Sequence, residues 1–98
     1  MNNFETHIEG ETPVVVDFFA DWCGPCKMMP PILKEVKQKT GDRATILKMD
    51  IDKNRFYADK YGIQSIPTLM IFKKGQVIWR RSGVASAGEI MQHLQSHL

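Results

Sequence analysis

Val14-Val15-Val16-Asp17-Phe18-Phe19-Ala20-Asp21-Trp22-Cys23-Gly24-Pro25-Cys26-Lys27 is the stretch on which the reading of this chain turns. Its first half, Val14 to Phe19, is apolar at successive positions, as expected of an interior strand of a parallel sheet. Its second half holds the only two cysteines, two residues apart. A helical pattern follows, with Met28, Met29, Ile32, Leu33 and Val36 at helical spacing and an end near Gly41. Cys23 therefore falls at or next to a helix N-terminus, where unpaired N–H groups and the helix dipole favour a thiolate. Thiolate is the attacking species in disulfide exchange. Two thiols so spaced, at a strand-to-helix junction, can close a small disulfide and reopen it. The pair points to dithiol–disulfide redox chemistry.

The rest of the chain is read outward from this junction. Upstream, Asn2 or Asn3 is expected to cap a short helix through His7 and Ile8 that ends at Gly10. Pro25 falls in the first turn of the helix after the cysteines, where its missing N–H costs nothing. Pro30-Pro31 sits inside that pattern and is expected to kink it. Thr45 to Ile51 reads as a second strand. Asn54 is expected to cap a short helix to about Tyr61, stopped by Gly62. Thr68 to Phe72, the turn Lys73-Lys74-Gly75-Gln76 and Val77 to Trp79 read as a β-hairpin. Ser86 opens a last helix with apolar Ile90, Met91, Leu94 and Leu98. The order α β α β α β β α predicts an α/β fold, a mixed sheet with helices on both faces.

Composition narrows the function classes. Ninety-eight residues with no repeat or linker are expected to form one domain, residues 1–98. A hydrophobic fraction of 43% beside 24% charged is ordinary for a globular chain. The net charge of +2 and the lack of a dense basic cluster argue against a nucleic-acid partner. Lys73-Lys74 and Arg80-Arg81 read as solvated hairpin ends. No apolar stretch approaches membrane-spanning length. The first residues show neither the basic nor the apolar region of a signal peptide. With both cysteines in one motif, none is left for a structural disulfide framework. These features fit a reducing compartment and a cytoplasmic protein, with a removed leader as the open alternative.

Trp22-Cys23-Gly24-Pro25-Cys26-Lys27, Val16-Asp17-Phe18, Lys48 within Leu47-Lys48-Met49-Asp50-Ile51-Asp52, Tyr61-Gly62-Ile63 and Ile66-Pro67-Thr68 occur in an order and spacing that resemble the thioredoxin family. The resemblance runs from about Phe4 to the C-terminus. It implies the thioredoxin fold and a general protein-disulfide reductase. Cys23 is then the exposed nucleophile, and Cys26, more buried, resolves the mixed disulfide. Asp17 lies inside an apolar run, where an isolated carboxylate is costly unless it protonates or finds a partner. The resemblance makes it the base for Cys26, with Lys48 beside it from the adjacent strand, its stem buried. It also implies a cis peptide bond between Ile66 and Pro67 facing the cysteines. Trp22, Gly24, Pro25, Ile66, Pro67 and Gly83 form the implied substrate-binding set. No organic cofactor is implied. Reducing equivalents would come from NADPH only through a thioredoxin-reductase-type flavoenzyme.

Three departures from the family pattern carry expectations. The family usually has a strand before the first helix, and Phe4 here has only three residues before it. About four strands are therefore expected, with Thr45 to Ile51 at an open edge and the protein a monomer or weak edge-to-edge dimer. The aromatic two residues after Asp17 is Phe19 in place of the usual Trp. Pro31 matches the family's helix proline, and Pro30 is additional.

Blander readings stand beside these. The cysteine pair is alternatively half of a zinc site completed by His7, His93 or His97. The domain is alternatively a docking module with incidental cysteines. Lys48 is alternatively a snorkelling edge lysine, and Pro67 a plain strand-entry proline. Met28 and Met29 are expected as core filler, and Trp79 and Tyr57 as packing residues.

Overall fold

The computed structural model describes residues 3–98. The elements follow the expected order: α1 (Asn3–Glu9), β1 (Val14–Phe19), a 3-10 turn (Pro25–Met28), α2 (Met29–Thr40), β2 (Thr45–Asp50), α3 (Arg55–Lys60), β3 (Thr68–Lys73), β4 (Gln76–Ser82) and α4 (Ala87–Leu94). The strands form one mixed sheet in the order β2-β1-β3-β4. β1 and β2 are parallel, and the other neighbours are antiparallel. β2 lies at an edge, as its place in the sequence pattern suggests.

The sheet divides two cores. On one face Phe4 and Ile8 of α1 and Tyr57 and Ala58 of α3 pack against Val14, Val16, Phe18, Met70 and Phe72. This core is rich in rings, with Phe4 at 4.6 Å from Tyr57 and Tyr61 at 5.3 Å from Phe72. Edge-on and tilted ring pairs add about 1 kcal/mol each beyond the area they bury. On the other face Met29, Leu33 and Val36 of α2 and Ile90 and Leu94 of α4 cover Val15, Leu69 and Ile71. That core is aliphatic.

Local sequence explains the boundaries. Asn3 is the first residue of α1 rather than its cap, and Asn2 lies outside the described residues. The helix after the cysteines is not one kinked rod. It splits into a 3-10 turn and an α-helix, and Pro30 and Pro31 fall in the first turn of α2, where a missing N–H is tolerated. Gly41, at φ +57°, ends α2. Asn54 precedes α3 but does not cap it with its side chain, whose Nδ2 donates instead to the Asp50 carbonyl at 2.9 Å. Ser86 caps α4, its Oγ accepting from the Glu89 amide at 3.1 Å. The hairpin turns on Lys74 and Gly75, both at positive φ. Met29 is fully buried, but Met28 is 58% exposed, because the shift from 3-10 to α geometry turns it outward. It is not core filler.

Candidate active site

β1 runs into the site. Val14, Val16 and Phe18 point to the aromatic core and Val15 to the aliphatic one, so alternation turns Asp17 to the α2 side, while Phe19, at the end of the strand, packs against the aromatic core. The chain then turns, with the Cys23 amide donating to the Ala20 carbonyl at 3.2 Å. Gly24 takes the cap position and Pro25 opens the 3-10 turn. Cys23 and Cys26 are joined as a disulfide, with their Cα atoms 5.4 Å apart. The Cys26 amide donates to Cys23 Sγ at 3.2 Å. That donor belongs to the start of the helical segment, where N–H groups lack backbone partners. It favours negative charge on Cys23 over Cys26.

Cys23 does not have the exposure expected of it. In this oxidised form Cys23 is 5% exposed and Cys26 4%, so neither is an exposed thiol. The difference between them lies in what surrounds each sulfur. Cys23 Sγ has the Cys26 amide on one side and the Ile66 carbonyl oxygen at 3.7 Å on the other. Cys26 instead lines a cleft of about 160 Å³ with Asp17, Phe19, Lys27, Pro30 and Lys48.

Asp17 is 1% exposed, and neither carboxylate oxygen has a hydrogen-bond partner among the described residues. Burial pushes its pKa up from 3.8 to about 6, and the Lys48 charge pulls the other way. Lys48 is the register partner of Asp17 on β2. Taken as a whole residue, Lys48 is exposed. The ammonium lies 5.7 Å from the centre of the Phe19 ring. Phe19, half-buried, lines the same cleft as Asp17 and Lys48.

A second group of residues closes over Cys23. The Ile66–Pro67 peptide bond is cis, and Ile66 supplies the carbonyl nearest Cys23 Sγ. Gly83, at φ +93°, donates its N–H to the Pro67 carbonyl at 2.7 Å, and a side chain at that φ would be strained. Thr68 Oγ1 donates to the Ser65 carbonyl at 2.6 Å. Trp22 is 70% exposed, with its indole Nε1 donating to Asp52 Oδ2 at 2.8 Å.

Cys23, Cys26, Asp17 and Lys48 therefore meet at one end of β1 and β2, and Trp22, Gly24, Pro25, Ile66, Pro67 and Gly83 surround or adjoin them. Sequence reading did not find Asp52, thirty residues from its indole partner, nor the part played by Arg80 and Arg81. These arginines are not simply solvated. Arg80 donates to the carbonyls of Tyr61 and Gly62, and Arg81 to the Glu89 carboxylate. Nothing in their local sequence marks these partners. His93 stacks on Trp79 at 4.9 Å, so packing occupies that pair. Among the described residues no three His, Cys, Asp or Glu side chains lie together as a metal-ligand set.

The thioredoxin family model, described simply as Thioredoxin, matches residues 1–96. The chain belongs to the thioredoxin family. It is 43% identical over 88 residues to a thioredoxin from Bacillus subtilis, covering 90% of this chain and 85% of that one. It is 42% identical over 98 residues to the chloroplastic thioredoxin Y of rice (Oryza sativa subsp. japonica), covering 99% of this chain and 58% of the rice protein. Among solved structures, a mutant thioredoxin from Halobacterium salinarum NRC-1 superposes with a TM-score of 0.87 at 30% identity, covering 96% of this chain and 81% of that chain. The fold is the thioredoxin fold. With Cys23 and Cys26 joined in a disulfide at the family's motif, the chain is a thiol–disulfide oxidoreductase, a disulfide reductase. No helix among the described residues is long and apolar enough to cross a membrane.

Proposed function

We infer that this chain is a single domain that reduces disulfides in partner proteins, with Cys23 as nucleophile and Cys26 as resolving thiol. The observation that carries the assignment is the Cys26 amide donating to Cys23 Sγ. In the reduced protein that donor stabilises a Cys23 thiolate. The thiolate attacks one sulfur of a partner disulfide, forming a Cys23–partner S–S bond, and the other partner sulfur leaves as thiolate. Cys26 then gives its proton to Asp17, across the cleft they share, and attacks Cys23 Sγ. The mixed disulfide breaks, the second partner sulfur leaves, and two electrons have passed to the partner. The chain ends with the Cys23–Cys26 disulfide, the state described above.

An Asp17 pKa of about 6 suits this role, since a base works best near the operating pH. Lys48 limits how far burial raises it. The partner's extended chain runs beside Ile66, next to the nucleophile. Trp22, Gly24, Pro25, Pro67 and Gly83 shape that docking surface. The chemistry uses no organic cofactor, metal, nucleic acid or membrane. A thioredoxin-reductase-type flavoenzyme using NADPH returns the disulfide to the dithiol, and the protein works in the cytoplasm as a monomer or weak dimer.

The test is insulin disulfide reduction coupled to dithiothreitol, by wild type, Cys23→Ser and Cys26→Ser. Both variants are expected to lose turnover. Only Cys26→Ser should accumulate a mixed disulfide with insulin, and in the reduced wild type Cys23 should be alkylated first. Trapping by Cys23→Ser instead would reverse the two roles.

A further inference from the structure

Arg80 and Arg81 are neighbours on β4, so their side chains leave opposite faces of the sheet. Arg81 stands opposite Leu69, on the α2 and α4 side, and bridges the Glu89 carboxylate at 2.7 and 2.8 Å. Arg80 stands opposite Met70, on the α1 and α3 side. Its guanidinium donates through Nη1 to the Tyr61 carbonyl and through Nη2 to the Gly62 carbonyl at 3.0 Å. These carbonyls follow the last residue of α3, where the chain turns at Gly62 with φ +60°.

Four residues lie between Gly62 and Pro67. Gln64 and Ser65 are exposed, and Ile66 is half-buried. The far end of this segment is tied by Thr68 to Ser65 and by Gly83 to Pro67. The near end is held by the Ile63 amide on the Ala58 carbonyl at 2.8 Å and by the two Arg80 contacts. A planar guanidinium reaching two successive carbonyls fixes their direction as well as their distance, which a single-point donor does not. The carbonyl of Ile66, 3.7 Å from Cys23 Sγ, is carried by this segment.

We propose that Arg80 is a positioning residue for the reduction of protein disulfides: it clamps Tyr61 and Gly62 so that residues 63–66 are held ready beside Cys23. The proposal rests on the docking of the partner chain beside Ile66. Arg80 does not touch the reacting sulfurs. Its effect is to raise the fraction of molecules whose docking segment is in the binding-competent shape, and apparent affinity scales with that fraction.

Arg80→Ala is expected to raise KM for insulin about fivefold, equivalent to about 1 kcal/mol, while kcat moves by less than about twofold. Arg80→Lys, with one point of contact, should fall between wild type and Arg80→Ala. Reduction of hydroxyethyl disulfide, which has no extended chain to dock, should separate from insulin reduction and stay near the wild-type rate. Amide exchange at Ile63, whose N–H is bonded to the Ala58 carbonyl, should quicken in Arg80→Ala. Unchanged exchange there would show that Arg80 holds nothing and overturn the clamp. Faster exchange with an unchanged KM would instead show that partners do not dock beside Ile66. Parallel losses for both substrates, with a lowered unfolding midpoint, would reduce Arg80 to a general stabiliser and overturn the proposal.

Discussion

β1 and β2 lie side by side in parallel and carry opposite charges at the same level, Asp17 against Lys48. β1 has a strand on each side and a helical layer on each face, and its residues from Val14 to Phe18 are buried. β2 is paired on one side, and Met49 is its only buried residue. The carboxylate in β1 loses its water and finds no hydrogen bond among the described residues, so its pKa climbs to about 6. Lys48 in β2 is exposed and also lines the cleft. Two oppositely charged residues at the same level thus sit in different surroundings because of the strand each occupies. A carboxylate titrating near neutral pH costs stability, and that cost is concentrated in β1.

The contrast is broken most directly by cutting into each strand. Phe18 is fully buried in β1 and packs near Tyr61, with ring centres 6.3 Å apart. Phe18→Ala is expected to lose about 4 kcal/mol of stability. Ile46→Ala, at a half-buried position of β2, is expected to lose about 1–2 kcal/mol. Urea unfolding of the two variants measures the difference. Equal losses would mean that β2 is as firmly held as β1 and that burial does not separate the strands.

Asp17→Asn removes the costly charge while keeping the shape. The sign follows from the raised pKa: the fold prefers the protonated carboxyl, so that preference contributes fully below 3.8 and is lost as pH rises through about 6. Above pH 7 the ionised group therefore costs the wild type on the order of 3 kcal/mol. The variant should be more stable than wild type there by roughly 2 kcal/mol, and the advantage should fade between about pH 7 and pH 4. Release of the Cys26-resolved mixed disulfide should slow roughly 10- to 100-fold with the base removed. A variant less stable than wild type at every pH would make Asp17 a structural hydrogen-bonding group instead.

Much of this was legible in residue order. Val14 to Phe19 is uniformly apolar except for Asp17, which announces both a central strand and a carboxylate under pressure. The cysteine spacing and the proline after Gly24 place the redox pair at a helical start. The edge position of β2 was legible from the shortness of the chain before Phe4, and the strand order bears it out. What escaped depends on geometry that a linear pattern does not carry. Met28 reads as core because helical spacing assumes one continuous α-helix, and the 3-10 segment turns it outward. Cys23 reads as exposed by its likeness to the family pattern, yet in the disulfide form it is buried, with its sulfur 3.7 Å from the Ile66 carbonyl oxygen. Arg80 and Arg81 read as solvated charges because their partners lie elsewhere in the chain.

The smallest effect tests the outer side of β2. Its inward amides can be told from the ladder: the Thr45 amide donates to the Pro13 carbonyl and the Ile51 amide to the Phe19 carbonyl. Alternate N–H groups of a strand face opposite sides, so the amides of Ile46 and Lys48 face away from β1, and those of Leu47 and Met49 face toward it. In dilute protein Ile46 and Lys48 should exchange at least about tenfold faster than Leu47 and Met49. Lys48 and Asp50 place charge along this side, which discourages pairing with another chain but does not forbid it. Any dimer formed through this edge should therefore be weak. It should protect Ile46 and Lys48 selectively as concentration rises, in step with a shift in sedimentation. Equal and slow exchange at all four amides in a strictly monomeric sample would show that the outer side of β2 is covered. The contrast between the two strands would then lie in their helical layers alone.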